Sequence, residues 1–311
     1  MKRICRCKLV TATAGLAEKI LSTTSTLLSK PYVQLGTTKF WEWNRQGWGP
    51  LNILEGFAHS SDTFFYQLAN QVGINRLAFW ARQFGYGSPT GIDLPNEAKG
   101  LVPTEQWKMD TFGQPIYGGE VLQAGIGQGY DLATVLQVAN AYAALANGGT
   151  LYQPQVVREI RAPDGTVARP FEPKVIRKIK ASASVMTTMR KAARQVVTSR
   201  HTYNLVDLPI VVAGKTGTSE FGVRDKNGVL PYSHWFAGFV PKNAWLKDNP
   251  TGDVSKPDSQ LAFAVFTYDS RTLGNVATEV AKYYLQLHFG IKEDFRLPEL
   301  LKRTNFYQGR T

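Results

Sequence analysis

The sequence predicts an α/β domain in which a central antiparallel sheet is packed between helices. Three observations carry that expectation. Helical patterns with one apolar face fill the early part of the chain. Three strand-like runs, Ile210 to Thr218, Trp235 to Val240 and Leu261 to Tyr268, follow one another directly, and a closing helical pattern bears Val276, Val280, Tyr284 and Leu287. Strands in direct succession pair antiparallel, whereas a parallel nucleotide-binding sheet needs a crossover helix between neighbours.

The elements follow in order. Ser61 or Asp62 can cap a helix whose stripe is Phe64, Phe65, Leu68, Ala69 and Val72. A second helix is expected from Ile74 to Phe84, ending at Gly85. Asp131 is expected to open a helix with Leu132, Val135, Leu136, Ala139 and Ala143 on one face, closed by Asn147-Gly148-Gly149. Leu151 to Lys180 reads as short strands turning at Pro163-Asp164-Gly165. Ser182 starts a helix bearing Val185, Met186, Met189 and Val196. Lys226-Asn227-Gly228 is a hairpin signal between the first two of the three strands. The boundaries expected are one domain over 1–291 and a charged tail over 292–311.

Composition narrows the function classes. Of the 311 residues 43% are hydrophobic and seven are tryptophan, enough for a sizeable core. The formal charge of +12 suits nucleic acid, an anionic membrane surface or a polyanionic wall. No arginine-rich run interleaved with aromatics is present, so the charge reads as a diffuse solvated surface and no nucleic-acid partner is expected. Cys5 and Cys7 are the only cysteines, and they are too close in sequence to bridge comfortably. With His59, His201, His234 and His288 scattered, no metal site is expected, and no cofactor. Lys2, Arg3, Arg6 and Lys8 ahead of Leu9 to Ala17 imitate a signal peptide, but Thr11, Thr13 and Gly15 interrupt the apolar stretch. Neither an anchor nor a convincing signal peptide is expected.

The chemistry-bearing cluster is Lys215-Thr216-Gly217-Thr218-Ser219-Glu220, entered from the apolar run Ile210 to Ala213. Alternation along a strand puts Lys215 and Gly217 on one face and Thr216 and Thr218 on the other. Gly217 lets an acyl group or carboxylate approach the backbone, and the Thr218 N–H can face a developing oxyanion. Ser60-Ser61-Asp62 stands at the mouth of a helix, where it can cap the helix or face a cleft. Gly125-Ile126-Gly127-Gln128-Gly129 lacks the Lys-Ser/Thr ending of a phosphate loop.

Taken together, these stretches resemble the transpeptidase domain of penicillin-binding proteins, above all the class B, penicillin-binding protein 2 type. That superfamily carries Ser-x-x-Lys, Ser-Asp-Asn and Lys-Thr-Gly elements. Here the second is Ser60-Ser61-Asp62 and the third Lys215-Thr216-Gly217, while Asp62 to Gln67, Thr90 to Pro95, Ile126 to Gly129 and Trp235 to Phe239 are also similar. The agreement runs in order over about three quarters of the chain, which makes it specific. The first element departs: Leu9 to Leu16 resembles the helix after the nucleophile, which aligns Lys8 with the motif lysine and Cys5 with the motif serine, so Cys5-Arg6-Cys7-Lys8 replaces Ser-x-x-Lys.

The resemblance implies a penicillin-binding-protein/β-lactamase-like fold with helices on both sides of the central sheet. It also implies D,D-transpeptidation of peptide stems ending in D-Ala-D-Ala. Lys8 would be the base, Ser60 a proton relay, Asp62 an orienting group, and Lys215 with Thr216, Gly217 and Thr218 the holder of the substrate carboxylate. The N–H groups of Cys5 and Thr218 would form the oxyanion hole. Peptidoglycan stems and β-lactams are the implied ligands, a membrane glycan polymerase and cell-elongation proteins the implied partners, and the outer face of the bacterial plasma membrane the implied location. Only four residues precede Cys5. The N-terminal strands of the family's sheet are therefore expected to be absent and the thiol poorly held, so impaired acylation is expected. A non-catalytic peptidoglycan-binding scaffold and a β-lactamase-like hydrolase are the competing readings. The hydrolase is disfavoured because no second carboxylate motif stands ready to activate a water.

Overall fold

In chain order the elements of the computed structural model are β1 (Lys2–Arg3), α1 (Cys7–Ala17), β2 (Leu27–Ser29), β3 (Tyr32–Leu35), β4 (Thr38–Trp41), β5 (Gly49–Leu51), α2 (Ile53–Ala58), α3 (Asp62–Val72), α4 (Ile74–Gln83), α5 (Glu105–Phe112) and α6 (Gly118–Gly125). They continue with β6 (Leu132–Ala133), α7 (Val135–Ala146), β7 (Thr150–Tyr152), β8 (Ile160–Arg161), β9 (Val167–Arg169), β10 (Val175–Lys178), α8 (Ala183–Thr198), α9 (Tyr203–Val206), β11 (Ala213–Glu220), β12 (Tyr232–Pro241), β13 (Ser259–Ser270) and α10 (Val276–Phe289). The structure describes residues 2–3, 7–199, 203–220, 222–224, 230–270 and 276–292. Cys5, the Lys226-Asn227-Gly228 turn and nearly all of the expected tail lie outside those residues.

The three strands expected in succession form one sheet, β11-β12-β13, antiparallel throughout. Their alternation feeds two cores. Ala213, Trp235, Ala237 and Phe239 share a core with Val138, Ala141, Tyr142 and Leu145 of α7 and Met186, Met189, Ala192 and Val196 of α8. The intervening positions Val212, Phe236, Val240 and Phe263 join Leu205 of α9 and Ala277, Ala281 and Leu285 of α10 in a second core. A period of two along each strand therefore places helices on both faces of the sheet. The first core continues through the helical half, where α1 is buried all round: Leu9, Val10, Ala12 and Ala14 are enclosed, and Thr11 donates to the carbonyl of Gly125 at 2.8 Å. A helix without a solvent face is a fixed platform for whatever its first turn presents.

Three expectations are corrected in their details. Asp131 does not open α7. Thr134 caps it, accepting from the Gln137 N–H while the Gln137 side chain accepts from the Thr134 N–H. Residues 132–133 are extended instead, because Leu132 exchanges backbone hydrogen bonds with Leu101 at 2.7 and 3.0 Å. In α10 the residues facing the sheet are Ala277, Ala281 and Leu285, while Val280, Tyr284 and Leu287 of the expected stripe are exposed. Strand β11 also starts later than expected, since Ile210 makes only an isolated bridge to Trp245.

Candidate active site

The helical half of the site is a turn between α2 and α3. Asn52 caps α2 in a reciprocal box with Glu55, and α2 ends at His59. Ser60 then takes φ +55°. A non-glycine residue in the left-handed region carries strain and persists only where its surroundings hold it there. The reversal lets Ser61 cap α3, its Oγ accepting from the Phe64 N–H at 3.2 Å. It also turns both oxygens of Ser60 toward α1. Lys8, buried at 2% exposure, donates to the Ser60 carbonyl at 2.6 Å, to Ser60 Oγ at 2.9 Å and to Asp62 Oδ1 at 2.7 Å. Among the described residues these are three acceptors, as many as an ammonium group has donors.

Burial pushes the Asp62 carboxyl above its ordinary range; Lys8 opposes that shift by charge and hydrogen bond, and Lys215 by charge, while Glu42 adds to it. Glu42, one residue past β4, was not singled out from the sequence. Its carboxylate lies fully buried beneath the Ser61-Asp62-Thr63 turn. The available signal was a lone acid between Trp41 and Trp43, in a segment otherwise rich in aromatics.

The sheet half is β11. Lys215, Thr216, Gly217 and Thr218 pair with Ala237, Phe236, Trp235 and His234 across the ladder. Lys215 and Gly217 are buried on the face toward the first core, while Thr216 is half-buried and Thr218 exposed on the other. The Lys215 ammonium sits 5.8 Å from the ring centre of Phe57 in α2, three residues before Ser60, and its charge acts on Asp62. The structure thus brings Lys8, Ser60, Asp62 and Lys215 into one neighbourhood although 155 positions separate Ser60 from Lys215. Thr216 and Thr218 share the strand but project from its opposite face. Thr218 Oγ1 lies 3.4 Å from His234 Nδ1. The Gly125 to Gly129 run is the turn that ends α6, with Gly127 and Gly129 left-handed. Among the described residues no group of His, Cys, Asp and Glu is arranged to hold a metal ion.

Residues 7–246 match the penicillin binding protein transpeptidase domain family. This chain belongs to that family. As a penicillin-binding transpeptidase domain it is 30% identical over 314 aligned residues to the peptidoglycan D,D-transpeptidase MrdA of Haemophilus influenzae, covering 92% of this chain and 44% of the relative. Its fold superposes on Pseudomonas aeruginosa PBP2 in complex with WCK 5153 with a TM-score of 0.76 at 28% identity, covering 93% of this chain and 61% of that one. A chain from a peptidoglycan synthase complex that coordinates polymerization and crosslinking superposes with a TM-score of 0.77 at 26% identity, over 96% of this chain and 48% of that one. The chain therefore spans less than half the length of the H. influenzae relative. Among its described residues no helix is long and apolar enough to cross a membrane.

Proposed function

We propose that this domain binds D-Ala-D-Ala peptide stems and β-lactams in the cleft between the Ser60 turn and β11, and carries out D,D-transpeptidation weakly through Cys5. The observation that carries the reading is the Lys8 ammonium held between Ser60 Oγ and Asp62, with the Lys215 strand alongside. For acyl transfer the Cys5 thiol gives its proton to the base and the thiolate adds to the penultimate D-Ala carbonyl. The tetrahedral centre then collapses, expelling terminal D-Ala as its amine, protonated through Ser60, and leaving a thioester that an acceptor amine resolves. Lys8 must first be neutral to act as base. The neighbouring Asp62 carboxyl, held up by burial, is the group placed to take its proton.

A thiol is a good nucleophile, but a site shaped for a hydroxyl loses about a hundredfold for a displacement of ~1 Å, which is why the chemistry is proposed as impaired. Among the described residues β11 is an outer strand of its sheet, a place where an extended peptide could add alongside. By analogy with the synthase complex, the domain would work beside a glycan polymerase and elongation proteins at the outer face of the plasma membrane. The hydrolase reading finds no support in the second carboxylate near Asp62. Glu42 is fully buried and already surrounded by donors, so it cannot activate a water.

Two measurements test the proposal on the full chain: equilibrium binding of a D-Ala-D-Ala peptide, and time-dependent labelling by a fluorescent penicillin with the adduct mapped by mass spectrometry. Peptide binding with slow labelling at Cys5 is expected. Peptide binding without labelling would favour the scaffold reading. Absence of both would overturn the assignment of this cleft.

A further inference from the structure

We propose that Glu42 is a positioning residue of this site, a buried carboxylate that holds the Ser60-Ser61-Asp62 turn in its strained conformation and so keeps Ser60 and Asp62 on Lys8. The part of this proposal that concerns catalysis rests on the transpeptidase reading above. Glu42 is 0% exposed. Its Oε1 accepts from the backbone N–H groups of Trp43 at 3.2 Å and Asp62 at 3.1 Å. Its Oε2 accepts from the Thr63 N–H at 2.8 Å and lies within hydrogen-bond distance of the hydroxyls of Ser61 at 2.7 Å, Thr63 at 2.9 Å and Ser29 at 3.3 Å.

The donor set determines what can occupy this place. Each carboxylate oxygen faces at least one backbone N–H, and a backbone N–H cannot rotate away as a hydroxyl can. A glutamine would have to aim its NH₂ at the Asp62 and Trp43 amides or at the Thr63 amide, setting donor against donor in either orientation. A group that can accept at both oxygens fits, which a carboxylate does. The two turn amides it binds belong to the opening residues of α3, where the helix leaves N–H groups unpaired and its dipole favours a negative charge. Leaving such buried donors unsatisfied is costly, so the acid and the turn stabilise each other.

The consequence reaches the reacting groups through the backbone. Asp62 N–H and Thr63 N–H are fixed to Glu42, and the two preceding residues are Ser60 and Ser61, with Ser60 at φ +55°. Release of those two amides would let Ser60 relax toward an ordinary conformation. Its carbonyl and Oγ would then leave Lys8. Among the described residues the charges acting on Asp62 are Lys8 from α1 and Lys215 from β11, which lower its pKa, and Glu42, which raises it.

The test uses the full chain with ¹³C-labelled aspartate and backbone amide exchange, read by NMR in Glu42→Gln, Glu42→Asp and the control Gln137→Leu. Gln137 belongs to a different buried network, donating to the carbonyls of Ser88 and Lys99. In Glu42→Gln exchange at the Asp62 and Thr63 amides should quicken by about tenfold or more, as expected for loss of a charge-assisted bond, and the Asp62 carboxyl, released from Lys8, should titrate at higher pH, because the charge and hydrogen bond of Lys8 act on it more strongly than the neighbouring anion that is lost. Glu42→Asp keeps the charge and should leave the Asp62 titration near its original position. Gln137→Leu should lower the melting temperature and move neither signal. If Glu42→Gln does not fold, Thr63→Val removes one hydroxyl from Oε2 and should quicken exchange at the same two amides by a few-fold. A Glu42→Gln or Thr63→Val protein that melts earlier but keeps the Asp62 titration and both amide protections would overturn the proposal. These shifts appearing in a chain that binds neither peptide nor penicillin would sink the transpeptidase reading and leave the anchoring role standing.

Discussion

The two halves of the site are held by different physics. At the Ser60 turn, side chains from distant stretches do the holding: Lys8 reaches across 52 and 54 positions to Ser60 and Asp62, and Glu42 across about twenty to the start of α3. At Lys215 to Thr218, position is set by an uninterrupted backbone ladder to β12, and the side chains only decorate it. The turn is therefore sensitive to single side chains and the strand to whatever disturbs the backbone. A site assembled this way separates chemistry from support, because the groups proposed to move protons sit where one substitution changes charge, and the edge proposed to hold the peptide sits where the sheet averages small changes out.

Lys8→Met is the strongest way to break the helical half. It removes the group proposed as base and leaves Asp62 without its cation. Penicillin labelling should fall by about 10²–10⁴-fold, the range associated with general-base groups. Unfolding in urea should show a loss of about 2–4 kcal/mol, since breaking one side of an enclosed ion pair strands the other. The folded far-UV spectrum should persist, because α1 buries its apolar residues independently of Lys8. Labelling that survives at the original rate would remove Lys8 from the mechanism.

The matching test of the sheet half leaves every reactive side chain in place. Gly214 lies opposite Gly238 in the β11–β12 ladder, and a Cβ there would come within 2.6 Å of the Ala237 carbonyl and 2.7 Å of the Phe236 ring. Gly214→Ala should destabilise by about 1–3 kcal/mol through overpacking and weaken peptide binding, while the Asp62 titration stays where it is. If the titration moved as well, the two halves would be coupled more tightly than their separate supports imply.

What could be read from the sequence divides along the same line. Lys215 to Thr218 was legible because an apolar run, a strand period and a short motif all lie in consecutive residues. A cap of α3 at Ser61 or Asp62, which the structure resolves to Ser61, and the start of α8 at Ser182 were legible for the same local reason. Glu42 was not, because its meaning depends on amides about twenty residues away. Asp131 and Thr134 are both good caps by type, and the choice fell to the reciprocal bond with Gln137 and to the pairing of Leu132 with Leu101. In α10 the largest apolar residues drew the expectation outward, whereas the sheet admits alanines, whose small side chains let helix and strands approach closely. Family resemblance supplied the partnership of Lys8 with Ser60 and Asp62, which no periodicity in this chain would have revealed.

The smallest expected effect sharpens the comparison through pH. Asp62 has its carboxyl raised from the ordinary 3.8 by burial, whereas Asp93, at the surface, has its carboxyl lowered, chiefly by the Val156 N–H. The signs differ accordingly. Between 3.8 and its raised native value Asp62 binds a proton more tightly folded than unfolded, so its contribution to stability is full below 3.8, is lost as pH rises through the native value, and is level above it. Asp93 does the reverse: its contribution is present above 3.8 and is lost as pH falls through its lowered native value. Urea unfolding of Asp62→Asn and Asp93→Asn against the unmodified chain, stepped from acid to neutral pH, measures both. Asp62→Asn should cost most at the acid end and progressively less toward neutrality, and Asp93→Asn should cost least at the acid end. Parallel curves for the two variants would mean that the turn at Ser60 does not hold its carboxyl in the desolvated, lysine-bound state on which the proposed proton transfer depends.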